Sequence, residues 1–165
     1  MKPDEDLAAR INRASYLFMR SIQEPIDNQL SLIIEEAAEN EEKRGQITRP
    51  SDSPEIQALL KDTAPIESID GCLTYRLFWP KYVAYLVTEQ LVGSCGSYDD
   101  ESHQGRLFRL YSKSHFLDHL THDTGAYSHP LLHFKIACLN HLVDVASEMP
   151  PAIEIIPRSG ARSIQ

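Results

Sequence analysis

Apolar residues Leu7, Ile11, Ala14, Phe18 and Ile22 recur at steps of three and four, which places them on one stripe of a helix entered through Pro3 and the acidic run Asp4-Glu5-Asp6. The next stretch repeats the pattern with Ile26, Leu30, Ile33 and Ala37, opens at Pro25 and ends in Lys43-Arg44-Gly45. Cations and glycine belong at a helix C-terminus. The two segments therefore read as a helical hairpin, with one kinked helix as the alternative. A polar linker, QITRPSDSP, follows, and Ser53 can cap a short helix beginning at Pro54.

The character of the chain then changes. LTYRLFW and YVAYLVTEQLV are dense in aromatic and β-branched residues and are separated by Pro80-Lys81, which predicts two strands forming an antiparallel pair. A long polar loop, GSCGSYDDESHQG, leads to a third strand over RLFRLYS, and Ser112 or Ser114 can cap a helix over HFLDHLTH. Residues 130–148 are ambiguous: a 3.6-residue pattern argues helix, while the β-branched end permits a strand. Helix is the reading adopted. AIEII after Pro150-Pro151 is a last strand. The sum is an α+β fold, an N-terminal helical hairpin and further helices packed on a small, mostly antiparallel sheet, forming one domain over residues 1–157 with a flexible tail at 158–165. Trp79, Tyr82, Tyr85, Phe108 and Tyr111 are expected to fill the core.

Charge narrows the function. The formal net charge of -8 opposes a phosphate backbone, whose binding needs clustered Lys and Arg, so nucleic acid is not an expected partner. A basic protein partner fits better. Three widely spaced cysteines, Cys72, Cys95 and Cys138, give neither a disulfide framework nor a zinc ribbon and suit a reducing cytoplasm. The N-terminus shows no apolar signal core and no apolar run is of membrane-spanning length, so neither secretion by a standard signal nor a membrane role is expected.

Five of the seven histidines fall between residues 112 and 133. On a helix, His115, His119 and His122 lie within about 60° of one another and could hold a metal with Asp118 or Asp123. The glutamate that a zincin needs after its first histidine is Phe116 here, and no cofactor or resident metal is expected. For catalysis the candidates are Cys95, in a glycine-flanked turn that partly matches the G-x-S-x-G elbow, with His141 as base oriented by Asp144 one helical turn on. The acids Asp99-Asp100-Glu101 beside Cys95 would raise its thiol pKa. Those same acids are the candidate partner-binding residues, because binding groups concentrate on loops. Arg106 and Arg109 could clamp a carboxylate or pair with surface acids.

At GRLFRLYSKSHFLDHL and HFKIACLNHLVDV the chain resembles small uncharacterised bacterial proteins, some encoded beside secreted toxins. The resemblance covers about the C-terminal half. It implies an immunity protein, one that neutralises a toxin by binding it, and carries over no catalytic residue. The expected function is thus a non-enzymatic cytosolic protein-binding module, an inhibitor of a basic toxin domain. The alternative is a small hydrolase built on Cys95 with His141 and Asp144, or on a histidine-bound metal.

Overall fold

A computed structural model describes residues 5–49, 51–89, 100–124 and 130–158. Helix α1 (Glu5–Arg13) is followed by strands β1 (Tyr16–Gln23) and β2 (Leu30–Glu39), helix α2 (Pro54–Leu60), and strands β3 (Ile66–Glu67), β4 (Thr74–Trp79), β5 (Tyr82–Glu89), β6 (Ser102–Gln104) and β7 (Phe108–Lys113). Helix α3 (His115–Thr124) and strands β8 (Leu132–Ala137), β9 (His141–Ser147) and β10 (Ala152–Ile156) complete the order. The class is α+β, built on two antiparallel five-stranded sheets. The first runs β1-β2-β4-β10, with β3 beside β2, and the second runs β5-β9-β8-β7-β6.

The expected helical hairpin is replaced by a helix and a β-hairpin. Leu7 and Ile11 do occupy one helical stripe, but the helix stops at Arg13 and the buried positions then switch to period two. Leu30, Leu32 and Ile34 are wholly buried, whereas Ile26, assigned to the helical stripe, is 65% exposed. Pro25 opens a hairpin turn rather than a helix, and Asn28 adopts φ 64°, a conformation asparagine tolerates better than most residues. Strand pairing wins because it buries Leu17, Leu32 and Ile34 against the other sheet, which a helical face at this position does not need to do.

Residues 132–137 and 141–147 are likewise two strands, not one helix. Phe134, Ile136, Val143 and Val145 alternate and are fully buried. The turn at Cys138–Asn140 explains the break: the Cys138 N–H donates to the His141 carbonyl and the Leu139 N–H to the Leu17 carbonyl of β1. The strands over LTYRLFW and YVAYLVTE form as expected but do not pair with each other. β4 lies between β2 and β10, β5 pairs with β9, and the Pro80-Lys81 corner carries the chain from one sheet to the other.

One apolar cluster joins the two sheets. Leu17, Leu32, Ile34, Tyr75, Leu77 and Trp79 from the first meet Phe108, Phe134, Ile136, Val143 and Val145 from the second. Trp79 lies 6.2 Å from Phe134, which stacks on Phe108 at 5.6 Å. Of the expected core aromatics, Trp79, Phe108 and Tyr111 are buried, while Tyr82 is half-buried and Tyr85 exposed.

Helix α1 closes one end through Asn12. Its side-chain oxygen accepts the N–H groups of Arg106, Leu107 and Phe108 at 2.8 to 2.9 Å, and its nitrogen donates to the Phe108 carbonyl at 3.1 Å. Gly105 makes this turn at φ 89°, where an added Cβ would fall on the Phe108 carbonyl oxygen. The Arg106 guanidinium donates to the Ala14 and Ser15 carbonyls just beyond α1 and, through Nε, to the Asn12 carbonyl, one of the acceptors that the end of the helix leaves open. Arg109 donates from Nε to the Arg106 carbonyl. The two arginines that could have clamped a carboxylate thus hold backbone.

The two predicted caps form. Ser53 accepts from the Ile56 N–H at the start of α2, and Ser114 accepts from the Leu117 N–H, at 3.2 Å, at the start of α3. Among the described residues no helix is long and apolar enough to cross a membrane.

Candidate functional site: a buried serine, histidine and aspartate line

Strand register brings together polar residues that are far apart in sequence. His133 on β8 sits opposite Tyr111 on β7 and Ala146 on β9, while Lys135 sits opposite Asp144, so these side chains share the face of the second sheet that α3 covers. Ser114 reaches the same face from the mouth of α3. Its Oγ lies 2.7 Å from His133 Nδ1, and His133 Nε2 lies 2.8 Å from Asp144 Oδ1. Lys135 Nζ stands 3.2 Å from the same carboxylate oxygen.

The hydrogen-bond roles follow from the partners. The Asp144 carboxylate can only accept, so Nε2–H donates to it, and in the neutral ring Nδ1 is left to accept from the Ser114 hydroxyl, whose oxygen takes the Leu117 N–H. The imidazole is held in one tautomer. Tyr111 stacks on it at 4.4 Å and Phe116 of α3 approaches at 5.1 Å. Asp144 has its counter-charge in Lys135, whose ammonium also lies 5.5 Å from the Tyr111 ring.

A serine, a histidine and an aspartate in line have the residue types of acyl-transfer catalysis. Here the ring nitrogens serve in the reverse sense, with serine on Nδ1 and the acid on Nε2. The line is also enclosed: Ser114, His133 and Asp144 are 2%, 1% and 6% exposed. Chemically this arrangement fixes α3 to the sheet and keeps a carboxylate and an imidazole satisfied out of water.

The sequence-predicted catalytic set is not assembled in that form. Asp144 was expected one helical turn from His141. On strand β9 the two residues point to opposite faces, and Asp144 pairs with His133 instead. His141 Nδ1 is buried with no hydrogen-bond partner among the described residues. Cys95 lies outside the described residues. Cys138 is not an alternative nucleophile, since burial pushes its thiol up to about 12.

Helix α3 forms where the histidine cluster was expected. His119 and His122 are exposed, and His115 Nε2 lies 2.6 Å from Asp100 Oδ1. No group of three or more His, Cys, Asp or Glu among the described residues is arranged to hold a metal ion. The side chain of Asp123 lies outside the described residues.

Of the three expected partner-binding acids, Asp99 lies outside the described residues. Asp100 joins His115 and Lys113, contacts that hold its carboxyl below the usual aspartate range. Glu101 accepts the backbone N–H of His115 at 2.9 Å and so completes the N-terminus of α3.

A second concentration of charge lies at the far end of the first sheet. Glu39, Glu41, Glu42, Glu67 and Asp70 line a half-open cavity of about 470 Å³ between the end of β2, the 3-10 turn Glu41–Lys43 and β3. Lys43 pairs with Glu67 at 2.8 Å and Arg44 with Glu41 at 2.5 Å. The hydrogen bond from Arg44 holds Glu41 below its ordinary pKa, and those from Lys43 and Asn40 do the same for Glu67. The neighbouring acids Glu35 and Glu36 turn to other work. Glu35 joins Arg20 and Arg158, while Glu36 accepts from the Tyr75 hydroxyl at 2.5 Å and the Leu73 N–H at 3.0 Å. Arg158 opens the segment expected to be a tail; residues 159–165 lie outside the described residues.

Sequence reasoning named Asp144 for a different partner, Ser114 as a cap and His133 only as one of a cluster. Only the β8–β9 register could have joined them. No family model matches the chain, and neither a curated protein nor a solved structure matches it.

Proposed function

We propose that this chain is a non-enzymatic, cytosolic protein-binding module that recognises a basic partner, acting as an immunity-type inhibitor of a basic toxin domain. The observation that carries the reading is the acidic concavity: five carboxylates against the two cations Lys43 and Arg44, on a chain of net charge -8. Arg44 and Lys43 hold Glu41 and Glu67 below the ordinary carboxylate pKa and balance their charge, so the excess negative charge of the cavity rests on its remaining acids. Such a surface accelerates encounter with a cationic domain and excludes phosphate-bearing partners. The resemblance of the C-terminal half to small bacterial proteins, some of them encoded beside secreted toxins, supports the same reading. Asp99, Asp100 and Glu101 remain the loop candidates, with Asp100 exposed.

The test is co-purification from the native host, followed by association kinetics with the captured protein across ionic strength. Glu42→Gln/Asp70→Asn is expected to slow association several-fold at low salt and to flatten its salt dependence. The triple amide variant of Asp99, Asp100 and Glu101 is the comparison. Unchanged salt slopes in both variants, or a captured partner without a basic surface, would sink the proposal.

A further inference from the structure

A cavity of about 400 Å³ opens where the start of β1 meets one end of the second sheet, near the lower end of the range of about 300–1,000 Å³ typical of small-molecule sites. Most of its lining is apolar. Leu17, Leu107 and Cys138 are buried there, and Ala137, Leu139 and Leu142 are half-buried. The wall is pinned to β1: the Leu139 N–H donates to the Leu17 carbonyl, and the Asn140 carboxamide bonds both the N–H and the carbonyl of Met19 at 2.9 Å. The Ala137 N–H goes to the Leu107 carbonyl and the Cys138 N–H to that of His141, so the backbone donors of the wall are already satisfied.

Two arginines, Arg106 and Arg109, line the same cavity, and no acid is among its lining residues. The Arg106 guanidinium donates to the Asn12, Ala14 and Ser15 carbonyls, which satisfies its hydrogens and leaves its charge unbalanced. Arg109 holds backbone through Nε alone, 2.9 Å from the Arg106 carbonyl, so its terminal nitrogens are uncommitted among the described residues. The residue opposite it on β8 is Lys135, a like charge, whose ammonium goes to Asp144. Two unbalanced cations at one apolar cavity are an exception on a chain of net charge -8.

We propose that this cavity binds a small monocarboxylic acid with an apolar body, its carboxylate held by the terminal nitrogens of Arg109 in the field of Arg106 and its hydrocarbon laid along Ala137, Leu139 and Leu142. A planar carboxylate matches a guanidinium fork, and its two oxygens use what Arg109 has left to offer. Phosphate brings further anionic oxygens, for which the apolar wall has no donor. The C-terminus of a polypeptide carries the same carboxylate, but its amide groups would meet backbone donors that are already taken, whereas a hydrocarbon needs none. The inference is independent of the acidic concavity, which lies at the far end of the other sheet.

Calorimetric titration of the full chain with octanoate tests it. The expected result is a single saturable site per chain with a Kd below about 1 mM. Acetate lacks the body, octan-1-ol lacks the charge, inorganic phosphate lacks the shape, and N-acetyl-leucine stands for a polypeptide C-terminus; each should bind at least about tenfold more weakly. Arg109→Gln should weaken octanoate about tenfold or more, and Arg109→Lys should recover little of the loss, because an ammonium offers no fork. Circular dichroism checks that each variant is folded, and the series of ligands on the unaltered chain stands even if a variant is not. No saturable octanoate binding below about 1 mM, octan-1-ol, phosphate or N-acetyl-leucine bound as tightly as octanoate, or a folded Arg109→Gln chain with unchanged affinity overturns the proposal.

Discussion

The outer faces of the two sheets solve the same problem differently. On the first sheet, acids and bases meet in water: Arg76 pairs with Glu154 at 2.5 Å with both side chains about half exposed. On the second sheet, α3 covers the face, and His133, Asp144 and Ser114 meet out of water. Solvent competes with the first kind of contact and absents itself from the second. Removing one member of a solvated pair leaves the other hydrated, but removing one member of the enclosed line takes a bond from groups that water does not reach.

The largest test removes the first hairpin. A chain beginning at Thr48 lacks β1 and β2, so Leu17, Leu30, Leu32 and Ile34 leave the core and β4 loses a neighbour. The expected outcome is aggregation or melting without a cooperative transition; a soluble truncation with a sharp calorimetric peak would show the second sheet to be self-sufficient. Next in size is His133→Ala, which takes one buried hydrogen-bond partner from Ser114 and one from Asp144, leaving Lys135 on Asp144 and the Leu117 N–H on Ser114, and should cost about 2–4 kcal/mol, or a Tm fall of roughly 5–15 °C. Ser114→Ala should cost about 1–2 kcal/mol, because the cap and the buried bond go together. The two losses should not add, as members of one network rarely do. The smallest effect is expected on the first sheet, where Arg76→Ala and Glu154→Ala, and their double variant in a denaturant cycle, should reveal a coupling of about 1 kcal/mol or less. A coupling as large as that between His133 and Ser114 would break the contrast between the two faces.

The same contrast accounts for what the sequence made legible. Strands β4, β5, β7 and β10 announce themselves by aromatic and β-branched density, and both serine caps precede short apolar helices. β2 does not, because LSLIIEEAA satisfies a period of two at Leu30, Leu32 and Ile34 and a helical period at Leu30, Ile33 and Ala37. Its Glu and Ala content favours helix locally, and packing against the second sheet overrides that preference. Residues 130–148 mislead for another reason. A helical projection gathers His133, Asn140 and Asp144 on one side, opposite Leu131, Leu139, Leu142 and Val143, and so reads as an amphipathic helix. Two of those residues are instead buried against each other, and the third reaches across to β1. Polar character reports solvent only when no partner stands opposite, and the partner here depends on strand register. The site was therefore hidden although every residue in it was in view.

Asn140 has a consequence for the order in which the chain can settle. Its carboxamide closes on Met19 across 121 positions, and Asn12 closes on Phe108 across 96. The first hairpin can form as soon as residues 16–39 are free, yet its outer strand gains its covering turn only after the chain has been made past residue 140. Until then β1 offers its unpaired backbone to any extended segment nearby. Distant closures of this kind slow folding relative to local ones, so newly made chains should spend a measurable interval in a state that a ribosome-bound chaperone would recognise.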